Sequence, residues 1–423
     1  LMQSNNLNHL KLFLPGDKSI SHRAIIISSF IPGVHKIRNI PKNEDVLITL
    51  DILSNYGLKI SYDKDLLMLD STNILFNNTI VNCGDSGTTA RLMIGYLTGL
   101  NISATILGST TLSKRPMDRI INPLRSFGAN IQLKTNQLPA ILNRSNKLET
   151  FDFNLNIPSA QIKSALILYA LSLNGRSIIR GKIKTRDHLE ILLSHLKYPI
   201  FIKRDRIEID GGFKIKKCMD FKVPGDISSA AFIIAAAILN QNSHITIKDV
   251  CINKYRSGFL RAITKMGAKI KILNKKNIYG EEIGDISAQY SKQIHGIIIN
   301  KTQVVDTIDE IPILSVIACF ASGTTIIEGV EELKIKESDR VLAIIDNINS
   351  MGGEAKQDNN NLVIKGKKRL YNTYIKSFND HRIFMSFYIA NRLINKNLDT
   401  NFNDLSYKKS FPEFLSIIDR VFK

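Results

Sequence analysis

An apolar helix that ends at a small or turn-forming residue and leads into a β-rich strand recurs along this chain. The turn residues of five copies are Gly33, Gly99, Gly175, Gln241 and Gly323, which are separated by 66, 76, 66 and 82 residues. A weaker sixth copy spans residues 389–397. Six such units average roughly 70 residues each, which is longer than the repeats of solenoid proteins. The near-regular spacing favours a true internal repeat over the helix–glycine–strand pattern found in many α/β proteins.

A second pattern lies between these copies. Four amphipathic helices end in LSNYGLKI, LRSFGANI, ITKMGAKI and INSMGGEA, with glycine at the C′ position of the helix. A fifth, SHLKYPIFI, has Tyr198-Pro199 where the glycine would be. Each helix is followed by a strand of alternating character and a short hairpin. The sequence therefore predicts an α/β (α+β) fold built from six βαβαββ units, with three units in each of two lobes.

The limits of the lobes follow from a repeated turn. VPGDISSAAF echoes LPGDKSISHRA in its Pro-Gly-Asp turn and in the apolar helix that follows. We expect the turns around Pro15 and Pro224 to cross between lobes. One lobe would then span residues 16–224, and the other residues 1–15 plus 225–423. Because ligands favour clefts between domains, we expect the active site, with Lys18, between the lobes.

Composition narrows the class of protein. The longest apolar run, residues 230–239, is too short to cross a bilayer, and the first residues contain no apolar core of a signal peptide. The four cysteines, Cys83, Cys218, Cys251 and Cys319, lack the spacing of a metal site. We therefore expect a cytoplasmic protein with reduced thiols, no bound metal and no contact with a membrane.

The net charge of +19 raises the alternative of a nucleic-acid-binding protein. Against that alternative, the lysines are scattered, and no basic block, zinc finger or recognition-helix pattern is present. A basic excess can instead concentrate a small, highly anionic ligand by its electrostatic field. We therefore expect small-molecule substrates and no nucleic acid.

Cations recur where helices are predicted to begin. Singly, each such motif is explained by a capped helix with solvated charge. Together they oppose the helix macrodipole, so a bound polyanion is the economical explanation. No dinucleotide fingerprint or activated cysteine accompanies them, and isolated Asp and Glu residues suggest metal-free group transfer by general acid–base chemistry. Eight motifs carry such a cation, and two others, VPGDISSAAF and DEIPIL, start helices with carboxylates instead. In chain order the ten are LPGDKSISHRA, GDSGTTARL, KRPMDR, SAQIKSAL, TRDHLE, VPGDISSAAF, DEIPIL, KIKESDR, NDHRI and KKSFPEF.

These ten motifs run from residue 14 to residue 414, and in this order the chain resembles the 5-enolpyruvylshikimate-3-phosphate synthases of the enolpyruvyl transferase family. The resemblance implies a two-lobed inverse α/β barrel, three βαβαββ units per lobe, and usually a monomer. It also implies transfer of the enolpyruvyl group of phosphoenolpyruvate to the 5-hydroxyl of shikimate 3-phosphate. Phosphate leaves through a tetrahedral intermediate, and no cofactor is needed.

The resemblance also implies roles for individual residues. Asp309 matches the base at the 5-hydroxyl, Glu337 the group that handles the proton at the methylene carbon, and Lys18 a catalytic cation between both substrates. Lys336 would neutralise charge nearby. The expected shikimate 3-phosphate-binding residues are Lys18, Ser19, Arg23, Ser159, Ala160, Gln161, Thr185, Asp309 and Lys336. The expected phosphoenolpyruvate-binding residues are Lys18, Gly87, Arg115, Gln161, Arg340, His381, Arg382 and Lys409.

The chain departs from the family pattern at a few positions. Asp85 replaces the usual Asn, and we expect it to cap its own helix and to point away from the anion site. Thr185 replaces Ser and keeps the hydroxyl, Phe384 replaces a small residue and should alter only packing, and Glu332 is Asn in some members. The alternative within the fold is UDP-N-acetylglucosamine enolpyruvyltransferase, which carries a reactive cysteine in the loop corresponding to residues 107–116. Here that loop has no cysteine.

Overall fold

The computed structural model describes residues 9–77, 79–134, 136–367, 369–396 and 404–423. These residues form two compact units. Unit 2 comprises Gly16–Val223 together with Ile278–Glu281, and unit 1 comprises the remaining described residues. Unit 2 is thus almost entirely one continuous segment, whereas unit 1 is assembled from both sides of it.

The described residues contain fourteen α-helices and two short 3₁₀-helices at Glu331–Leu333 and Ser406–Lys409. The α-helices are α1 Lys18–Phe30, α2 Glu44–Asn55, α3 Gly87–Gly99, α4 Thr110–Ser113, α5 Asp118–Ser126, α6 Ala160–Ala170, α7 His188–His195, α8 Ile227–Leu239, α9 Gly258–Lys265, α10 Lys301–Thr307, α11 Ile311–Phe320, α12 Arg340–Ser350, α13 His381–Ile394 and α14 Phe414–Phe422.

Twenty strands are found in the same residues. They are β1 His9–Phe13, β2 Val34–Arg38, β3 Lys59–Asp63, β4 Leu66–Asp70, β5 Thr79–Asn82, β6 Ala104–Leu107, β7 Asn130–Leu133, β8 Ala140–Asn143, β9 Asp152–Leu155, β10 Gly175–Gly181, β11 Ile200–Ile202, β12 Arg206–Gly211, β13 Asp220–Lys222, β14 His244–Cys251, β15 Lys269–Ile278, β16 Glu281–Gln289, β17 Ile298–Ile299, β18 Thr324–Glu328, β19 Glu354–Asp358 and β20 Asn361–Lys365.

The strands form five four-stranded sheets with one shared topology. In the order β9–β10–β12–β11, for example, Ile178 of β10 lies opposite Asp152 of the parallel strand β9 and opposite Glu208 of the antiparallel strand β12. The other four sheets are β13–β2–β4–β3, β5–β6–β8–β7, β1–β14–β16–β15 and β17–β18–β20–β19. The predicted α/β fold with a recurring βαβαββ unit is confirmed. The sixth predicted copy, residues 389–397, ends at a residue outside the described part of the chain.

The glycine-ended helices close as predicted. After α2, Gly57 has φ 97°, its N–H donates to Ser54 O, and the N–H of Leu58 donates to Leu53 O. This pair of bonds is a Schellman motif, in which glycine adopts the left-handed conformation without a Cβ clash. The same pair of bonds closes α5, α9 and α12 at glycine, and α7 at Lys197 with φ 61°. The prediction that Tyr198-Pro199 takes the place of that glycine is therefore wrong by one residue.

Buried helices form the interior of each unit. In unit 1, α8, α11 and α13 pack against one another, and nearly all side chains of α8 are buried. In unit 2, α3 packs against both α1 and α6. A Cβ placed on Gly95 of α3 would lie 2.2 Å from the carbonyl oxygen of Ala165, and one on Gly99 would lie 2.5 Å from that of Tyr169. Two glycines one turn apart thus allow the α3 and α6 backbones to touch.

Replacing Gly95 with Ala is expected to lower the free energy of unfolding by about 1–3 kcal/mol, because α6 must move to accept the methyl group. Chemical denaturation measures the loss. Gly225→Ala is the matched control, since a Cβ there meets its nearest atom at 3.5 Å. Equal stability of the two variants would contradict the close approach of these helices.

A separate property of the described helices is that none is long and apolar enough to cross a bilayer.

Candidate active site

In unit 2, the N-terminus of α1 carries Lys18. Asp17 caps this helix by accepting a hydrogen bond from the N–H of Ile20 at 3.0 Å, so Lys18 is the first helical residue. The Nζ atom of Lys18 lies 2.6 Å from Oδ2 of Asp45, in the first turn of α2, and both side chains are partly exposed. An anion that binds Lys18 must therefore compete with this carboxylate.

Arg23 connects α1 with α6. Its Nε and Nη2 atoms donate to the hydroxyl of Ser164 at 3.2 and 2.8 Å, and Nη1 donates to the carbonyl of Ser19 at 2.9 Å. The side chain is almost completely buried. Because three N–H groups are held in this way, the guanidinium keeps one orientation beside the half-buried Ser19.

A buried chain of hydroxyl groups joins α1, α2 and α3. Nδ1 of His22 lies 2.8 Å from the hydroxyl of Thr49, which lies 2.8 Å from that of Thr89, and Thr89 in turn lies 2.7 Å from the hydroxyl of Ser86. Burial lowers the pKa of His22 well below its ordinary value of 6.5, and the positive charges of Lys18 and Arg23 add smaller effects in the same direction. His22 is therefore neutral at physiological pH.

This neutral histidine makes folding sensitive to acid. The unfolded chain takes up a proton near pH 6.5, while the folded chain does so only at a lower pH, so the contribution of His22 is complete above pH 6.5 and declines below it. In a His22→Asn variant the side-chain amide can still bond Thr49. Between pH 7 and pH 5, we expect the free energy of unfolding to fall by about 1–2 kcal/mol less in this variant than in the parent. Denaturant titrations at both values measure the difference. The same loss in both proteins would show that His22 takes up its proton equally in the two states.

The loop before α3 brings two guanidinium groups to its backbone. Ser86 caps α3 by accepting from the N–H of Thr89 at 3.3 Å. A Cβ on Gly87 would lie 2.6 Å from Nη1 of Arg91 and 3.1 Å from Nη1 of Arg115. A side chain at this position would push the ends of both arginines aside, and a cradle of two guanidinium groups at a glycine is of a kind that suits an anion.

Asp85 does not cap this helix, because the cap is its neighbour Ser86. The Asp85 carboxylate instead accepts a hydrogen bond from the hydroxyl of Ser109. Ser109 caps the short helix α4 by accepting from the N–H of Leu112. The predicted cap at Asp85 is therefore wrong, and this carboxylate ties the Gly87 loop to the segment that precedes Arg115.

The N-terminus of α6 presents three of the expected site residues. Ser159 caps the helix through the N–H of Ile162, and Ala160 is its first residue. The side-chain amide of Gln161 donates to the hydroxyl of Thr88 at 3.2 Å, which links α6 to the Gly87 loop. Lys163, one turn further, is buried, and its Nζ donates to the carbonyl of Thr185 at 3.0 Å.

In unit 1, a buried arginine gathers three carboxylates. Arg340, the first residue of α12, donates from Nε to Asp380 at 2.8 Å and from Nη2 to Glu337 at 2.5 Å. Its Nη1 lies 3.5 Å from Oδ1 of Asp309. Burial alone would lower the pKa of Arg340, but the charges of these carboxylates and the bond to Asp380 hold it above its ordinary value. Arg340 is thus always charged, and Asp309 and Glu337 lie on the same cation.

A second cation lies beside Asp309. Arg382, in the first turn of α13, donates from Nη1 to the carbonyl of Asp309 at 2.9 Å, and its Nη2 lies 3.9 Å from Oδ2. Asp380 caps α13 through the N–H of Arg382 at 2.9 Å. Among the other expected residues of this unit, His381 is buried, Lys336 is half-buried, and Lys409 donates to Asn379 at 3.2 Å.

The cysteines do not fit the alternative enzyme. Cys83 is fully buried, and burial raises the pKa of its thiol to about 12. A thiol in that state is not a nucleophile at neutral pH.

Phe384, one of the departures from the family pattern, packs in the core against the rings of Tyr388 and Tyr407, as predicted.

The sequence missed the partners of the two principal cations. Asp45 lies 27 residues from Lys18, and no local pattern connects them. Asp380 had a visible signal, since an Asp immediately before His-Arg at a helix start is a favoured cap that also offers a carboxylate to a neighbouring cation.

Solved structures show which known proteins share this fold. At the level of fold, the enolpyruvyl transferase NikO from Streptomyces tendae superposes with a TM-score of 0.75 at 13% identity, covering 98% of this chain and 94% of that one. The two proteins thus share the same overall fold. An EPSP synthase structure from Acinetobacter baumannii superposes with a TM-score of 0.83 at 31% identity, covering 97% of this chain and 95% of the other.

Comparison of sequences assigns the family. Residues 5–418 match the family EPSP synthase (3-phosphoshikimate 1-carboxyvinyltransferase). The 3-phosphoshikimate 1-carboxyvinyltransferase of Clostridium tetani is 40% identical over 97% of this chain and 94% of its own length, and that of Oceanobacillus iheyensis is 37% identical over 98% and 97%. The chain belongs to the EPSP synthase family.

Proposed function

We propose that this protein is a transferase that moves the enolpyruvyl group of phosphoenolpyruvate to the 5-hydroxyl of shikimate 3-phosphate and releases phosphate, a step of aromatic amino acid biosynthesis. The observation that carries the proposal is the arrangement around Arg340, a buried and permanent cation with Asp309 and Glu337 against it. Such an arrangement suits a reaction in which an anionic substrate is held while nearby carboxylates move protons. The family match supports the same reaction.

In this proposal, unit 2 supplies most of the acceptor site. The phosphate of shikimate 3-phosphate is bound by groups that are already held in place, among them the guanidinium of Arg23 and the cap of α6 at Ser159. Helix N-termini with free N–H groups favour such an anion. The full set is Lys18, Ser19, Arg23, Ser159, Ala160, Gln161 and Thr185, with Asp309 and Lys336 contributed by unit 1.

In this proposal, phosphoenolpyruvate is bound mainly by cations. In unit 2 these are Lys18 and the cradle of Gly87 and Arg115, with Gln161 beside it. In unit 1 they are Arg340, His381, Arg382 and Lys409. Planar guanidinium groups suit the carboxylate and the phosphate of this substrate, because each can be bound through two parallel hydrogen bonds.

The chemical steps then follow from the carboxylates. Asp309 removes the proton of the 5-hydroxyl as its oxygen bonds to C2 of phosphoenolpyruvate, and C3 gains a proton from the carboxyl group of Glu337. The tetrahedral intermediate collapses when phosphate leaves and C3 gives up a proton to Glu337. Lys18 and Lys336 balance the charge that develops. Arg340 contacts both carboxylates and so holds the two proton-transfer groups beside one fixed positive charge.

Two further parts of the proposal concern the state of the protein. We propose that it works in the cytoplasm as a monomer on small-molecule substrates alone. Size-exclusion chromatography with light scattering tests the monomer. A mass of twice 47.5 kDa would contradict it.

The function is tested by phosphate release from phosphoenolpyruvate. We expect release only when shikimate 3-phosphate is present, and loss of release in Lys18→Ala. Release with UDP-N-acetylglucosamine, but not with shikimate 3-phosphate, would overturn the proposed acceptor. Release with neither acceptor would overturn the activity.

A further inference from the structure

One buried ion pair in unit 2 is not used by the proposed reaction. Nζ of Lys163 lies 2.6 Å from Oε1 of Glu190, and each side chain is 1% exposed. Lys163 is a buried charged residue on the apolar helix α6. A buried ion pair costs desolvation energy that its own attraction does not reliably recover, so it is seldom present for stability alone.

The surroundings of Lys163 indicate what it does. Besides Glu190, its Nζ atom donates to the carbonyls of Ile183 and Thr185, each at 3.0 Å. An ammonium group has three donors and no acceptor, so these two carbonyls use two of its donors while the carboxylate of Glu190 balances its charge. Lys163 is therefore held by this segment and by Glu190 in the interior of unit 2.

Lys163 bonds a loop segment, which is also joined to β9 by the bond from the N–H of Lys182 to the carbonyl of Leu155 at 2.9 Å. Residues 182–187 lie between β10 and α7 and form neither helix nor strand. Within this segment, the N–H of Thr185 donates only two residues back, to the carbonyl of Ile183, at 2.8 Å. Glu190, in the first turn of α7, supplies the carboxylate that makes a buried ammonium tolerable there.

We propose that Lys163 and Glu190 are positioning residues for shikimate 3-phosphate. The ammonium fixes Thr185 relative to Ser159 and Gln161, which lie on the first turn of the same helix α6, so that both parts of the phosphate site are assembled before substrate arrives. This inference rests on the proposed function, because it takes Thr185 and Ser159 as substrate-binding residues. The inference adds Lys163 and Glu190, neither of which contacts substrate in the proposed function.

The test separates positioning from stability. Lys163→Met removes the charge and both donated bonds, and should lower the melting temperature by about 10 °C because Glu190 is left buried and uncompensated. In the double variant Lys163→Met/Glu190→Leu no buried charge remains, so the melting temperature should return to within about 3 °C of the parent. The carbonyls of Ile183 and Thr185 still lack their donor in the double variant. We therefore expect it to retain a KM for shikimate 3-phosphate raised roughly tenfold.

A second readout does not depend on the substrate. Hydrogen exchange at the amides of Ile183 and Thr185 should be at least about tenfold faster in the double variant than in the parent. The matched control is Leu168→Ala, a buried residue of the same helix whose loss lowers the melting temperature by a similar amount. Its KM and the exchange of these two amides should stay near parental values.

Recovery of both KM and amide exchange in the double variant would overturn the inference, as would an equal rise of KM in Leu168→Ala. If the double variant stays destabilised, its KM and its amide exchange are compared with those of Leu168→Ala, which has a similar loss of stability. Failure of the proposed function looks different, since the parent itself would then release no phosphate with shikimate 3-phosphate. The exchange measurement would still show whether Lys163 holds the segment.

Discussion

Replacing Asp309 with Asn is expected to slow phosphate release about a thousandfold, with little change in the KM for either substrate. The change removes the proton acceptor but keeps the size and polarity of the side chain. A positioned general base contributes about 10²–10⁴-fold to a rate. Steady-state phosphate release with both substrates at saturation measures the effect.

The control for Asp309→Asn is Asp346→Asn, an exposed carboxylate of α12 paired with Lys376 at 3.0 Å. It should keep the parental rate. The melting temperature of Asp309→Asn must also be recorded, because Asp309 contributes to the charge around Arg340. A rate within tenfold of the parent would show that Asp309 is not the base.

Replacing Arg340 with Met is expected to lower the free energy of unfolding by about 3–5 kcal/mol and to abolish measurable binding of phosphoenolpyruvate. The loss of stability follows because the fully buried Asp380 would remain charged without its partner. Arg340 also lies against the carboxylates of Asp309 and Glu337. Its replacement should therefore reduce function more than replacement of any single surface cation. Chemical denaturation and calorimetry measure the two effects.

The double variant Arg340→Met/Asp380→Asn separates them. Neutralising Asp380 should restore part of the stability, while phosphoenolpyruvate binding stays lost. Arg420→Met, an exposed arginine of α14, should change neither property. Recovery of binding in the double variant would contradict the assignment of Arg340 to the substrate.

The recurring unit was predictable because its signals are local. A glycine at C′ can be read directly from LSNYGLKI or INSMGGEA, and each such helix closes in the expected way. Lys197 was missed because lysine adopts a left-handed conformation only at a cost, so nothing in its identity marks the position. Asp85 was misassigned because Asp and Ser are both good caps, and the adjacent Ser86 is the one used.

The candidate site was predictable in its cations and much less so in their partners. Lys18 and Arg340 could be found because basic residues at helix starts are unusual. Asp45 could not, since its pairing with Lys18 depends on how α2 packs against α1. Lys163 stands in one of the recognised motifs, but its burial against Glu190 could not be read from that motif. Such pairs depend on tertiary packing, which cannot be read from local patterns in a single sequence.

The first strand has a consequence for synthesis of the chain on the ribosome. His9 of β1 bonds Thr246, 237 residues further on, so at ordinary translation rates β1 waits roughly 10–50 s for β14 to emerge. During that time unit 2 can complete its sheets, because β13 pairs with β2 within Gly16–Val223. The unpaired edge of β1 is exposed throughout. A nascent chain stalled with residue 223 already outside the ribosome should therefore resist protease within Gly16–Val223 and be cleaved in the segment that precedes Gly16.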